Sequence, residues 1–205
     1  SDCRGRPQTA GMEAIYYDGS FKFDDTKVYT SKDGTMILFW KPPATFGQWA
    51  VSPFQEDGVV FQCAEQYMMY KKAALFKDFD IAQKILQCSD PKLQKSLGRK
   101  VTPFDEYTWN ENRMKIVIQG NLLKFRQNPH MLKELMATED KVLVEASSRD
   151  TIWGIGYTAK NPKAYNPETW RGQNLLGKVL MQVREILRKE LAAAEADAEP
   201  EPKES

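Results

Sequence analysis

The chain has 205 residues, of which 41% are hydrophobic, and this length suits one globular domain that can bury a sizeable core. The 29 basic and 28 acidic residues give a net charge of +1, which excludes chain-wide attraction to nucleic acid but leaves room for a local basic patch. Three cysteines (Cys3, Cys63, Cys88) and one histidine (His130) support neither a disulfide framework nor a zinc site, so no metal or cofactor is expected.

The two ends of the chain differ in composition from the middle. Residues 1–12 are small and polar and are expected to be a disordered leader, residues 13–194 the folded domain, and residues 195–205 a disordered acidic tail. There is neither an apolar run long enough to cross a bilayer nor a recognisable signal peptide. We therefore expect no membrane partner and a cytoplasmic location, with a nuclear one as the alternative.

The N-terminal part reads as β structure. A short apolar run ends at Asp18-Gly19, and residues 27–31 face residues 35–40 across Lys32-Asp33-Gly34, a pattern that predicts a β-hairpin. Residues 44–57 follow with no clean periodicity, although they include Trp49 and Phe54. Such an aromatic loop is either a plug in the core or a wall of a ligand site.

From residue 64 onward the pattern becomes helical. We predict helices over residues 64–76, from an Asp78 cap through 88, from Asp90-Pro91 to Gly98, from Thr102-Pro103 through a long apolar series, and from Asn128-Pro129 to about 138. Residues 141–147 predict a strand, Gly154 and Gly156 an irregular segment, and residues 172–194 a last amphipathic helix. The sum is a helix-rich α+β fold with a small N-terminal sheet.

One predicted helix carries an acid and an amine on the same face. Glu65 and Lys72 are seven residues apart, close to two turns, with Met68 and Met69 between them, so their head groups can approach one small ligand. A solvated helix face is the ordinary alternative. Tyr67 lies elsewhere around the helix and is expected in the core.

Further residues of interest lie in the second half. Asp150 and Trp153 belong to SSRDTIWGIG, and Arg171 and Asn174 to WRGQNLLG. Each has a structural alternative: Asp150 can cap a turn, Trp153 can fill the core, Asn174 can cap a helix, and Arg171 can pair with the tail. No GxSxG, Walker or GxGxxG motif is present, and Cys63 lacks a nearby base, which favours a buried structural thiol.

Six motifs in order resemble the NADAR superfamily, also called YbiA-like: AEQYMMYKKA, LGRKV, FDEYTWNENR, LLKFRQN, KVLVEASSRDTIWGIG and WRGQNLLGKVLMQVRE. The resemblance spans roughly residues 39–188 and implies an α+β domain whose cavity lies near the Glu-bearing helix. Members of this family hydrolyse N-glycosidic bonds, either of phosphoribosyl intermediates of riboflavin synthesis or of ADP-ribosylated guanine. Many relatives carry Ser-Asn where this chain has Gly47-Gln48, a difference that bears on substrate choice.

Carried over by position, the resemblance implies that Glu65, Lys72 and Asp150 are catalytic and that Trp153 belongs to the site. Flat side chains for the base are offered by Trp49, Phe54 and Trp153, and Asn174 falls on the signature of the last helix. Guanidinium groups bind phosphate well, and the candidates for that contact are Arg99, Arg113 and Arg171. Residues 157–169 are longer than in the shortest relatives and are expected to form a lid or a surface excursion.

These residues allow two mechanisms. In the first, Glu65 or Asp150 stabilises an oxocarbenium-like sugar and positions water, while the other carboxylate or Lys72 supplies a proton. In the second, Lys72 attacks C1 of an opened ribose to give a Schiff base. The expected substrate is a small nucleotide sugar, an ADP-ribosylated guanine nucleoside or nucleotide, with ADP-ribosylated DNA or RNA as an extension. The alternatives are riboflavin intermediates or a non-catalytic ADP-ribose-binding module.

Overall fold

The computed structural model describes residues 15–16 and 28–198, and the predicted leader and the last seven residues lie outside these ranges. The strands are short and the helices account for most of the ordered backbone. The strands are β1 (Ile15–Tyr16), β2 (Tyr29–Thr30), β3 (Met36–Phe39), β4 (Phe54–Glu56), β5 (Val59–Phe61) and β6 (Val142–Glu145). The helices are α1 (Ala64–Leu75), α2 (Phe79–Leu86), α3 (Pro91–Gly98), α4 (Glu106–Gln127), α5 (Pro129–Met136) and α6 (Leu175–Ala198), with 3₁₀ turns at Pro162–Tyr165 and Pro167–Thr169.

The main sheet has the strand order β1-β2-β3-β6, and β4 pairs with β5 in a separate hairpin. The predicted hairpin is confirmed: β2 and β3 are antiparallel, and the turn between them uses Gly34 at a φ of 72°. Strands β3 and β6 are parallel, with Phe39 opposite Glu145. Because parallel strands end at the same edge, the segments that follow β3 and β6 leave the sheet side by side.

Alternating side chains place two apolar clusters on opposite faces of this sheet. Ile37, Phe39 and Leu143 pack in the larger cluster with α1, α4 and the apolar stripe of α6. Leu38 and Val144 face the other way and pack against buried residues of 155–164. The segment 157–169, predicted as a lid or surface excursion, therefore covers one face of the sheet as two short 3₁₀ turns.

Helices α1, α2 and α3 are joined by buried amides. Gln66 Nε2 donates to the carbonyls of Ile85 and Cys88 at 3.0 Å each, and Gln94 Nε2 donates to the same Cys88 carbonyl at 2.7 Å. Cys63 is buried and contacts Gln94 Oε1 at 3.3 Å, and burial raises the pKa of its thiol to about 11, as expected of a structural thiol. These contacts fix α3 beside α1.

The predicted helix boundaries hold with two exceptions. Helix α4 begins at Glu106 rather than at Thr102-Pro103, because the Asp105 carboxylate accepts a hydrogen bond from the Thr108 amide and so caps the helix there. Helix α6 begins at Leu175 and continues to Ala198, past residue 194, so the alanine-rich start of the predicted tail is helical. Across the described ranges, none of the helices is long and apolar enough to cross a membrane.

Asn174 and Gly177 join the start of α6 to β6. Asn174, at a φ of 52°, donates from Nδ2 to the Leu143 carbonyl at 2.9 Å and accepts from the Glu145 amide at 3.0 Å. Gly177 allows this approach, since a Cβ there would lie 2.0 Å from the Leu143 carbonyl oxygen. The NLLG motif is therefore a backbone clamp on the end of β6.

Replacing Gly177 with alanine should destabilise the protein. Alanine is favoured over glycine within a helix by about 1 kcal/mol, but overpacking against fixed backbone costs about 1–3 kcal/mol. The clash is with a carbonyl that cannot rotate away, so we expect a net loss in the free energy of unfolding, measured by urea denaturation. Lys178→Ala, at the exposed neighbouring position, should change stability by less than about 0.5 kcal/mol. A Gly177→Ala protein as stable as the wild type would contradict the clamp.

Candidate active site

A cavity of about 1040 Å³ opens between α1, α3, residues 40–49 and the segment that follows β6. Its walls combine carboxylates, cations and aromatic rings from stretches far apart in sequence. The lining residues are Trp40, Lys41, Gln48, Trp49, Glu65, Met68, Met69, Lys72, Lys92, Lys95, Ser96, Gly98, Arg99, Trp109, Glu145, Ser147, Ser148, Arg149, Asp150, Thr151, Ile152, Trp153 and Thr158.

Helix α1 contributes Glu65, Met68, Met69 and Lys72, the stripe that the sequence places on one face. Lys72 Nζ donates to the Gly98 carbonyl at 2.9 Å and lies 4.4 Å from the ring centre of Phe104 and 5.4 Å from that of Trp109. Burial, with a smaller contribution from nearby Arg99, lowers the pKa of Lys72. The ammonium is therefore half-buried and stacked over aromatic rings at the cavity wall.

Glu65 is the buried acid of this helix, with 5% of its surface exposed. Burial raises the pKa of its carboxyl to about 7, and nearby Asp150 adds to the rise, whereas Lys95, Trp49 and Arg99 oppose it. A carboxyl with this pKa can hold or release a proton near neutral pH, as acid–base catalysis requires.

Asp150 and Trp153 come from the turn that follows β6. Asp150 Oδ1 accepts hydrogen bonds from the amides of Ile152 at 3.0 Å and Trp153 at 2.8 Å, and its Oδ2 lies 3.7 Å from Lys95 Nζ. The Asp150 side chain thus caps the turn, which was the structural alternative to a catalytic role, and it also lines the cavity. One carboxylate serves both purposes.

Gln48 and Trp49 lie on a loop held by buried polar contacts. The Gln48 carbonyl accepts from the Glu65 amide at 3.0 Å, and its Oε1 accepts from Asn121 Nδ2 at 3.0 Å. Lys124, with no exposed surface, donates to the carbonyls of Thr45 at 2.6 Å and Gly47 at 3.0 Å. Burial lowers the pKa of Lys124 to about 7. The aromatic loop is both plug and wall: Phe46 enters the core and Trp49 faces the cavity.

Cations surround this cavity in a chain of nearly neutral charge. Arg99 and Arg149 are exposed, and Lys95 is half-buried beside Asp150. The full set of lining cations is Lys41, Lys72, Lys92, Lys95, Arg99 and Arg149. Within the described ranges, no cluster of His, Cys, Asp and Glu is arranged to hold a metal ion.

Four of the predicted site residues are not among the lining residues. Phe54 is buried against Phe61 and Tyr67 because β4 pairs with β5 over the back of α1. Asn174 clamps β6, as described above. Arg171 stacks 4.8 Å from the ring centre of Tyr157, and Arg113 lies half-buried on α4. The structure therefore places these four side chains outside this cavity, and their roles as substrate ligands stay predictions.

The structure adds cavity residues that were not among the predicted site residues, chiefly Glu145, Gln48 and Lys95. Glu145 lies near the end of the predicted strand, where an acid is common, so its position in the sequence gives no signal. Gln48 stands out in the sequence only as a departure from the Ser-Asn of many relatives, and Lys95 does not stand out, because an isolated lysine is common on any surface. Tyr67, by contrast, is fully buried, as predicted.

Glu65→Gln should change how stability depends on pH. In the wild type the folded pKa of about 7 exceeds the ordinary 4.5, so the folded state retains a proton that the unfolded state releases. This contribution is full below pH 4.5 and is lost as the pH rises to 7, by up to about 3 kcal/mol. Urea midpoints should therefore fall with pH between 4.5 and 7 more steeply in the wild type than in Glu65→Gln. Glu195→Gln, at an exposed site on α6, is the control, and parallel curves for wild type and Glu65→Gln would contradict this burial.

Comparisons with known proteins agree with this geometry. The family model described as the NADAR domain matches residues 38–188. An N-glycosidase of Acanthamoeba polyphaga mimivirus, R617, is 45% identical over 145 residues, which cover 68% of this chain and 85% of the viral protein. A riboflavin biosynthesis protein of Vibrio vulnificus is 30% identical over 155 residues, which cover 74% of this chain and 38% of that protein.

A solved structure shares the fold. The NMR structure of the E. coli protein YbiA superposes with a TM-score of 0.64 at 26% identity, covering 77% of this chain and 88% of that one. This confirms the helix-rich, YbiA-like α+β fold. Together with the family match, it also confirms the resemblance that the motifs indicated, and the chain belongs to the NADAR family.

Proposed function

We propose that this N-glycosidase removes ADP-ribose from ADP-ribosylated guanine by hydrolysing the bond between C1 of the ribose and a base nitrogen. The observation that carries the proposal is the cavity itself, where six cations and three carboxylates line one space. Cations suit the phosphates of the substrate, and carboxylates suit the positive charge that develops on its sugar. Because the chain as a whole is nearly neutral, this local group of lining cations suits a small anionic ligand.

The size of the cavity favours a large nucleotide sugar. Sites for small ligands are commonly about 300–1,000 Å³, and this cavity of about 1040 Å³ lies at the upper end. ADP-ribose joined to a guanine nucleoside has a diphosphate, three sugars and two bases to place there. Trp49 and Trp153 offer rings for a base, and Lys95 on α3 and Arg99 directly after it offer cations for the phosphates.

Glu65 is the residue best placed to act at the sugar. Its side chain is buried at the cavity wall, so a charge that forms on it is little screened by water. As a carboxylate it stabilises the oxocarbenium-like sugar and orients the attacking water, and Asp150 is the neighbouring acid that shares this task. Lys72 acts as a fixed cation that orients the ligand, because its ammonium donates to the Gly98 carbonyl and lies over two rings.

A second candidate function is hydrolysis of phosphoribosylamino-pyrimidines. It is favoured by the similarity to the Vibrio riboflavin biosynthesis protein, of which this chain covers 38%. The same carboxylates and cations would serve a single phosphate and a pyrimidine amine. The two functions differ in the number of phosphates and bases that the cavity must hold.

The substrates can be compared directly. Purified protein is incubated with ADP-ribosylated guanosine and, separately, with the phosphoribosylamino-pyrimidines, and the released base is measured by chromatography. We expect kcat/KM to be higher for ADP-ribosylated guanosine, because its diphosphate meets more of the lining cations. Glu65→Gln should lower kcat by about 10²–10⁴-fold and so excludes a contaminating activity. Faster release from the pyrimidines would support the second function, and release from neither substrate would refute both.

The role of Lys72 has its own test. If the ammonium acts as a cation, borohydride added during turnover should trap no sugar adduct, and Lys72→Arg should retain at least about 10-fold more activity than Lys72→Met. Mass spectrometry of the intact protein and of its peptides provides the measurement. A sugar-sized adduct on Lys72 would instead establish the Schiff-base route.

A further inference from the structure

Glu145 is the last residue of β6 and faces the same side of the sheet as Leu143, two residues before it. Leu143 packs in the cluster that contains Met68 and Met69 of α1, whereas Val144 packs on the opposite face. The side chain of Glu145 therefore points toward α1, and it lines the cavity together with Glu65.

The backbone of Glu145 is held on both sides although the strand ends there. Its amide donates to Asn174 Oδ1 at 3.0 Å, and its carbonyl accepts from the amides of Ser147 at 2.9 Å and Ile155 at 3.0 Å. Gly154 packs against this carbonyl so closely that a Cβ there would lie 3.0 Å from the oxygen. A side chain on backbone fixed in this way has little freedom to leave the cavity.

One oxygen of the Glu145 carboxyl is unpaired within the described part of the chain. This oxygen, Oε2, is buried and has no hydrogen-bond partner among the described residues. Buried polar atoms are nearly always hydrogen-bonded, so an unpaired oxygen that faces a cavity is free for a ligand. Asp150 differs, since its Oδ1 already accepts two backbone amides and its Oδ2 faces Lys95.

The charges around Glu145 favour its protonated form. Burial raises the pKa of the carboxyl to about 8, the carboxylates of Asp150 and Glu65 add to the rise, and Lys95 opposes it. At neutral pH the group is therefore mostly a neutral acid with a proton to donate.

We propose that Glu145 is the general acid of the reaction, the group that protonates the nitrogen leaving C1. The bond between C1 and nitrogen breaks with its electron pair moving to nitrogen, and the Glu145 proton passes to that nitrogen. Water forms the new bond to C1 and gives one proton to Glu65 or Asp150, and solvent exchange then restores both carboxyls. The inference rests on the proposed hydrolysis of a C1–N bond in this cavity.

The proposal is tested with the purified full chain and ADP-ribosyl conjugates of purines graded by the basicity of the leaving nitrogen. A poor leaving group needs the proton most. Glu145→Gln should therefore lower kcat about 10²–10⁴-fold for guanine and less than about 10-fold for the least basic purine. Glu56→Gln is the matched control, since Glu56 is a partly buried glutamate that pairs with Lys71 outside the cavity. It should leave kcat unchanged.

A measurement on the wild-type protein keeps the test independent of how the variant folds. The value of kcat/KM for guanine release should fall above about pH 8, as Glu145 loses its proton, and this fall should be weak for the least basic purine. A purely structural role for Glu145 would lower kcat equally across the series, and that result would overturn the proposal.

Different results would refute the proposed function and the role of Glu145. If the wild type releases no base from any conjugate, the proposed function is refuted, and the acid role of Glu145 falls with it. If the wild type is active but Glu145→Gln shows the same leaving-group dependence and the same alkaline limb, only the role of Glu145 is refuted.

Discussion

The site depends on the burial of carboxyl groups beside cations, where water no longer solvates the acids. Glu65 on α1 and Glu145 on β6 are 80 positions apart in sequence (145 − 65). Both line one cavity, and both have raised pKa values. Burial of an acid is unfavourable unless it stays neutral or is paired. Burial raises the pKa of both glutamates, while Lys95 lies 3.7 Å from Asp150 and opposes the rise in each.

The scaffold supports this arrangement through close backbone approaches and buried amides. Gly98 lets α3 approach α1 so closely that a Cβ at this position would lie 2.0 Å from Met69 Sδ. The Gly98 carbonyl accepts a hydrogen bond from Lys72 Nζ. Asn174 holds the end of β6, while Lys124 holds the loop that carries Trp49. Gly98, Asn174 and Lys124 need not touch substrate. Each fixes a segment that does, and catalysis depends on such fixed geometry.

Much of the fold could be predicted from the sequence because its signals are local. The Asp-Gly turn, the caps at Asp78 and Asp90, and the face shared by Glu65 and Lys72 follow from residue chemistry and helical spacing. The start of α4 was misplaced because Thr-Pro and Asp105 both resemble helix starts, and only the observed hydrogen bond to Thr108 selects one.

The site was harder to predict because its members are assembled by tertiary contacts. Strand pairing brings Glu145 to the cavity, loop contacts bring Gln48 and helix packing brings Lys95, and such tertiary contacts leave no spacing rule in the sequence. Asn174 and Arg171 lie in a motif that resembles a ligand site, but Asn174 clamps a strand and Arg171 stacks on Tyr157. The motif thus indicates a region that is important to the fold, and only the structure shows which of its residues line the cavity.

The most direct test of the account is a crystal structure of the Glu65→Gln protein with ADP-ribose bound. We predict that the anomeric carbon of the terminal ribose lies within about 4 Å of the side chains at positions 65 and 145. The diphosphate should lie toward Arg99 and Lys95. A diphosphate bound against the carboxyls, or ADP-ribose bound outside the cavity, would contradict the claim that these acids meet at the sugar.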